Sequence, residues 1–262
     1  MDALRFYGVR DIRFEEAPEP IIETDSEVKI KVKAVGICGS DIHRYALLGP
    51  YVPGIVWGHE FSGEVVAVGK NVTKVKVGQK VTACPALYCG KCDSCKKAKF
   101  AQCENLGVIG QHHQGAFAEY IVMEEENVVP VPENVSYDAA AMVEPSCVVA
   151  HGYYKVNLDP GDTVAVVGCG TIGLLAIQWA KIFGASKVIA IDIDDAKLEL
   201  AKKLGADETI NSRNKEPFEE VHKVNGGKGV DVAVESAGTP ITSAQTFSLA
   251  DKGGRVLFVG IP

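Results

Sequence analysis

The sequence predicts a mixed fold: a barrel-like β domain, then an α/β domain built on a doubly wound parallel sheet. Three observations carry that expectation. Short period-2 stretches dominate the first half, such as Val28-Lys29-Ile30-Lys31-Val32-Lys33 and the valines between Val65 and Val81, and these read as short half-buried strands. From about residue 160 the rhythm becomes strand, helix, strand, which implies parallel pairing through crossover helices. A length of 262 residues with 47% hydrophobic and 23% charged content allows two domains with sizeable cores and excludes disorder or a fibrous repeat.

In the first half, Gly69 and Gly78 break the valine-rich stretch into separate strands. In the second, Thr163–Val167 reads as a buried strand and Ile172–Phe183 as a helix, with apolar residues at helical spacing. Lys187–Ile191 is the next strand, and Asp195–Leu204 a helix stopped by Gly205. Further strands are expected at Glu208–Ile210, Val230–Glu235 and Arg255–Val259. The domains are therefore drawn as 1–153 and 154–262.

The net charge of −7 argues against a nucleic-acid partner, which calls for a basic face. No apolar run approaches the ~18 residues of a membrane span, and the N-terminus carries no apolar signal region. A cytoplasmic protein with no membrane partner is expected. In that compartment the eight cysteines read as metal ligands or reactive thiols before disulfides.

Val166-Val167-Gly168-Cys169-Gly170-Thr171-Ile172-Gly173 follows a predicted strand and opens a predicted helix, the context a dinucleotide fingerprint needs. Gly168 permits the tight turn, Gly170 lets a pyrophosphate approach the backbone, and Gly173 lets the helix pack on the strand. Thr171 and Ile172 at the helix start offer N–H donors to phosphate. Asp192 ends the second strand, where a carboxylate accepts from the adenosine ribose and repels a 2′-phosphate, so NAD is expected over NADP. Lys197 reaches the same ribose or is a solvated helix lysine.

Cys89, Cys92, Cys95 and Cys103 offer four thiolates on a compact loop, suited to a closed, structural zinc site. Lys91, Lys96, Lys97 and Lys99 offset its charge and otherwise form a solvated face. Cys84, Cys147 and Cys169 lack ligand spacing and are expected as small packing residues.

Three further segments complete a pattern: Gly36-Ile37-Cys38-Gly39-Ser40-Asp41-Ile42-His43, Gly58-His59-Glu60-Phe61-Ser62-Gly63 and Val143-Glu144-Pro145. With the cysteine segment and the glycine-rich turn, their order over the whole chain resembles the zinc-dependent medium-chain dehydrogenases. Glu144-Pro145 is more similar to the polyol branch (sorbitol and galactitol-1-phosphate dehydrogenases) than to the ethanol dehydrogenases. The resemblance implies a GroES-like β-barrel catalytic domain, a Rossmann domain, and two Zn2+ per chain besides NAD. It implies that Cys38, His59 and Glu144 surround a catalytic zinc, with Glu60 a ligand or a support, and that Ser40 and His43 relay a proton. His43 retains the alternative of a surface histidine. One thiolate, one imidazole and one carboxylate would bring Zn2+ to formal neutrality and leave a position open.

The implied activity is hydride transfer to NAD+ from a secondary alcohol of a polyol, sugar or sugar phosphate, giving a ketone. A threonine or butanediol dehydrogenase shares the same motifs. Cys38, His59 and the cysteine segment disfavour a zinc-free quinone reductase of the superfamily. A non-catalytic protein that binds zinc and NAD is the reading from another class. The resemblance also implies a homo-oligomer, and a sixth strand plus a return to the catalytic domain after Pro262; without them the expectation is an exposed sheet edge, weaker nicotinamide positioning and aggregation.

Overall fold

The computed structural model describes residues 1–261; Pro262 lies outside them. The chain divides into two compact units, Met1–Glu144 and a second beginning at Pro145.

In the first unit, β1 (Asp2–Gly8), β2 (Asp11–Glu16), β3 (Glu27–Gly36), β4 (Ile55–Val56), β5 (Glu60–Val68) and β6 (Lys80–Ala83) come first. They are followed by β7 (Ala86–Leu87), β8 (Gly107–Val108), β9 (Tyr120–Glu124) and β10 (Val128–Pro130). Strands β2-β1-β4 form one antiparallel sheet and β10-β6-β5-β3-β9 another, while β7 and β8 pair alone. The expected alternation is present in β3, where Val28 and Ile30 are buried and Lys29 and Lys31 are not. Those two pack with Phe61, Val65, Val81, Ile121 and Met123. The β3–β5 ladder shifts register at Lys29/Ile30 and again at Val32/Ala34, and such bulges bend a sheet into the curled, barrel-like form. Short helices α1 (Gly39–His43), α2 (Asp93–Lys96) and α3 (Tyr137–Ala141) lie between or after the strands.

Helix α4 (Val143–Lys155) opens across the division between the units, which falls nine residues before the 153/154 boundary drawn from the sequence. The second unit then runs β11 (Thr163–Val167), α5 (Thr171–Ile182), β12 (Lys187–Asp192), α6 (Asp195–Lys203) and β13 (Glu208–Asn211). It continues with α7 (Pro217–Val224), β14 (Val230–Glu235), α8 (Pro240–Leu249) and β15 (Ala250–Phe258). All five strands are parallel, in the order β13-β12-β11-β14-β15. That order reverses direction at β11, which puts a ligand crevice at the carboxyl ends of β11 and β14.

Strand residues point alternately into two cores. Val164, Val166, Val188 and Val232 pack with Ile177, Ala180, Leu198 and Tyr153. Ala165, Val167, Ile189 and Ile191 pack instead with Val221 and Leu249. Helices therefore cover both faces, which is why these strands read as continuous apolar runs. Strand β15 begins at Ala250, five residues before the expected Arg255.

Among the unassigned cysteines, Cys169 is buried as expected, but Cys84 and Cys147 are exposed and are not packing residues. No helix among the described residues is long and apolar enough to cross a membrane.

Candidate metal and cofactor sites

The first site is built where β3 ends and β5 begins. Gly36 and Glu60 are paired across that ladder, and Cys38 is the N-cap of α1 directly beyond β3. The ligand atoms of Cys38, His59 and Glu60 lie within 4.8 Å of one another. His59 and Glu60 are each 5% exposed, so water contributes little to either. Glu144, in the first turn of α4, stands outside that tight group but close enough to act electrostatically on His59 and Glu60. The structure thus brings Glu60, and not Glu144, into the group with Cys38 and His59.

The electrostatics of the pocket are those of a cation site. Burial pushes the Asp41, Glu60 and Glu144 carboxyls above their ordinary values. Burial opposes charge on His59 too, but Cys38, Asp41 and Glu144 outweigh it and hold the imidazole up to about 9. Three carboxyls and a thiol around one imidazole are an anionic surplus that a divalent cation would offset. His59 Nδ1 and Asp41 Oδ1 are buried without a hydrogen-bond partner, 3.8 Å apart. The residues present therefore fit zinc, with a soft thiolate, an imidazole and a carboxylate as its donor set.

Two contributors have no signal in the sequence spacing. Asp41 accepts from the Cys38 backbone N–H at 2.9 Å and sets its other oxygen 3.8 Å from His59, so one side chain fixes the cap and places negative charge beside the imidazole. Gly36 leaves room for Glu60, because a Cβ there would collide with the carboxylate oxygen Oε2. Gly36→Ala is expected to displace that carboxylate and weaken retention of the metal at this site about 10- to 100-fold. Chelator competition measures it, and unchanged retention would show that Glu60 is not a ligand.

The second site is the cysteine lobe. The sulfurs of Cys89, Cys92, Cys95 and Cys103 lie within 4.8 Å of one another. The backbone N–H groups of Lys91 and Cys92 pull the Cys89 thiol down to about 6, while burial and neighbouring sulfurs push Cys95 up. Backbone N–H groups of Cys89 and Asn105 also donate to Cys103 Sγ at 3.3 and 3.4 Å. Four sulfurs so close repel one another when all are ionised, and a dication removes that conflict. Lys91, Lys96, Lys97 and Lys99 are exposed.

The third site lies at the β11–α5 turn. Gly168 has φ +93°. A Cβ on Gly173 would overlap the Gly168 carbonyl oxygen, so only glycine lets α5 approach the turn this closely. Beside Gly170 there is open space, and the first-turn N–H groups of Thr171 and Ile172 have no intrahelical acceptor. Asp192 ends β12, with Oδ2 accepting from Cys169 N–H at 2.7 Å and Oδ1 from Ile193 and Asp194 N–H at 2.7 and 3.0 Å. The carboxylate is thereby fixed against the glycine turn. An adjoining pocket of ≈ 430 Å³ is lined by Ile193, Asp194, Asp195, Lys197, Asn211, Arg213 and Asn214. Arg213 is a second cation there beside Lys197. An open cradle, free helix N–H groups and a fixed carboxylate fit a dinucleotide.

Residues 24–133 match the alcohol dehydrogenase GroES-like domain family and residues 171–262 the zinc-binding dehydrogenase family. A sorbitol dehydrogenase of Bacillus subtilis is 40% identical over 267 residues, covering 100% of this chain and 75% of the relative. The chain belongs to the zinc-dependent alcohol dehydrogenase family. An L-threonine 3-dehydrogenase of Bacillus subtilis is also 40% identical, over 93% of this chain and 71% of its own length. Among solved structures, galactitol-1-phosphate dehydrogenase from Escherichia coli aligns with a TM-score of 0.93 at 35% identity, covering 100% of this chain and 75% of that one. A zinc-binding dehydrogenase structure from Sinorhizobium meliloti, bound to NADP, aligns at 0.92 and 34% identity, over 99% of this chain and 76% of that one. The expected fold class and family are thus correct. The chain is a zinc-dependent dehydrogenase, and its substrate is a small-molecule alcohol.

Proposed function

We propose that this dehydrogenase oxidises a secondary hydroxyl of a polyol, sugar or sugar phosphate to a ketone, with NAD+ as hydride acceptor. The observation that carries the proposal is the group of half-buried Cys38 with buried His59 and Glu60, which would give zinc three protein donors and leave a position for a substrate oxygen. The sorbitol and galactitol-1-phosphate dehydrogenases among the similar proteins support the substrate class. Threonine is the second reading, favoured by the threonine dehydrogenase at equal identity.

In this proposal Cys38, His59 and Glu60 hold the catalytic zinc, and Glu144 supplies negative charge behind them. Cys89, Cys92, Cys95 and Cys103 hold the structural one. When bound, zinc supplies Lewis acidity to the substrate hydroxyl and NAD+ accepts the hydride. Asp41 supplies negative charge beside His59. The Ser40 hydroxyl accepts the proton that the alcohol must lose before its C–H bond can break. His43, three residues along the same short helix and half-buried, passes it toward water. Ser40 and His43 make no hydrogen bond to each other among the described residues, so the relay needs an intervening group such as a cofactor hydroxyl. Gly168, Gly170 and Gly173 shape the cradle, Thr171 and Ile172 bind pyrophosphate, and Asp192 with Lys197 binds the adenosine ribose. The first unit is the catalytic domain and the second the cofactor domain, in a cytoplasmic homo-oligomer.

The test is reduced-nicotinamide absorbance with a panel of polyols, polyol phosphates, diols and threonine. Ketone formation from a polyol or its phosphate supports the proposal; turnover of threonine alone replaces the substrate, and no turnover with any alcohol removes the catalytic reading. Cofactor choice is a separate expectation. Asp192 should favour NAD over NADP by ~1–3 kcal/mol, the cost of setting a phosphate against a fixed carboxylate. Lys197 and Arg213 act in the opposite sense, and Asp192→Asn should narrow the gap. Fluorescence titration of both cofactors measures it, and equal affinities in the unmodified protein would take Asp192 out of this role.

A further inference from the structure

Arg5, Arg44 and Arg255 are the half-buried arginines among the described residues. Arg5 pairs with Glu15, and Arg255 with Asp162 and Asp159. Arg44 has no carboxylate partner among the described residues. Its side chain donates one bond, to the Gly49 carbonyl at 3.3 Å. Its guanidinium carbon lies 3.4 Å from the centroid of the Tyr51 ring, and that ring stacks on His112 at 4.6 Å. A guanidinium has five N–H donors, so a flat cation is held in place with most of its donors unspent.

Its place in the chain relates this cation to the metal site. The Arg44 backbone N–H bonds back to the Ser40 carbonyl at the end of α1, so Arg44 stands one helical turn, ~5.4 Å, beyond Ser40 and on the same side of the helix. Cys38 caps the other end of that helix. Arg44 thus shares with Ser40 a helix face along which a substrate held at Ser40 and the metal could lie.

We propose that Arg44 is a specificity residue that holds the phosphate monoester of a phosphorylated polyol. This rests on the dehydrogenase reading and narrows its substrate. The guanidinium fork matches two phosphate oxygens at once. A neutral polyol would leave a half-buried cation unpaired. A substrate carboxylate, as in threonine, shares the chemistry, and so does the cofactor pyrophosphate, so the experiment separates all three.

KM and kcat are measured for a six-carbon polyol monophosphate, its unphosphorylated parent, threonine and NAD+. The enzymes are the unmodified protein, Arg44→Ala and Arg44→Lys, with zinc content and circular dichroism confirming that each variant is folded. The expected result is a KM for the phosphate about 10- to 100-fold below that of the parent, lost in Arg44→Ala and partly restored in Arg44→Lys, with kcat little changed. Calorimetric binding of the polyol phosphate without NAD+ should show the same loss. Substrate selectivity unaltered by Arg44→Ala overturns the proposal. So does an effect confined to KM for threonine, or to KM for NAD+. If no alcohol is turned over but Arg44-dependent phosphate binding persists, the dehydrogenase reading fails and the phosphate site stands. If the neutral polyol is oxidised and Arg44→Ala leaves phosphate binding intact, only the Arg44 site fails.

Discussion

Replacing His59 with alanine should lower alcohol oxidation by at least ~10³-fold and reduce zinc from two ions per chain to one. The rate estimate follows from Lewis-acid stabilisation worth several kcal/mol, at about 1.4 kcal/mol per factor of ten. His59 is the natural position to test because it is the one nitrogen donor of the group. It belongs to the tight set with Cys38 and Glu60, and Asp41 backs it at 3.8 Å. Removing it leaves buried carboxyls and a thiol with no neutral nitrogen donor, a set that repels itself when ionised. Ser40→Ala provides the contrast: both zinc ions should remain, with a loss of about 10²- to 10⁴-fold, the scale of a proton-transfer contribution. Elemental analysis and reduced-nicotinamide absorbance separate the two variants. If His59→Ala kept two zinc ions and ordinary turnover, neither the ligand set nor the mechanism above would survive.

The ions should also differ in how easily they leave. With zinc bound, the three donors at Cys38, His59 and Glu60 would leave a position open to exchange, whereas four sulfurs would close the other site. A mild chelator should therefore take the first ion and abolish turnover while the second remains.

How much of this was legible in the sequence depends on how local each signal is. Strands β11 and β14 are found at the expected residues, and β12 within one, because an apolar run buried on both faces ends sharply at turn residues. Strand β15 begins early because Asp251-Lys252-Gly253-Gly254 reads as a turn, and a register shift between Val230 and Val232 absorbs it into the sheet. Helices α7 and α8 escaped although both carry start signals, Glu216 before Pro217 and a Thr239–Thr242 capping box before and after Pro240.

The candidate site divides the same way. The four clustered cysteines announce themselves by spacing alone. Cys38 and His59, 21 residues apart, do not, and only the resemblance joins them. Gly36, Asp41 and Arg44 carry no spacing signal because their significance is tertiary. Gly36 matters through a cross-ladder contact, Asp41 through a buried face turned to His59, and Arg44 through the carboxylate it lacks.

Cys103→Ser should remove one zinc and unfold the lobe around it while leaving the parallel-sheet unit intact. From Tyr88 to Leu106 the only buried residues are Cys95 and Cys103, so this segment has almost no apolar core. Tyr88 and Phe100 stack at 4.3 Å within it, but Phe100 is itself exposed. The regular structure within it amounts to four residues of α2 and one turn of 3-10 helix, too short to persist unaided. Metal–sulfur bonds must therefore supply what burial does not, and structural zinc in small modules supplies about 10–16 kcal/mol. Cys103 is the most informative ligand to change because backbone N–H groups of Cys89 and Asn105 converge on its sulfur, joining the two ends of the lobe. Serine keeps the size but is a poor zinc donor. Trypsin should then cut rapidly at the exposed lysines between Lys91 and Lys99, while fragments of the second unit, whose core is elsewhere, resist. Two retained zinc ions, with trypsin resistance in the lobe unchanged, would show that the segment folds without its metal and that the four sulfurs are not its core.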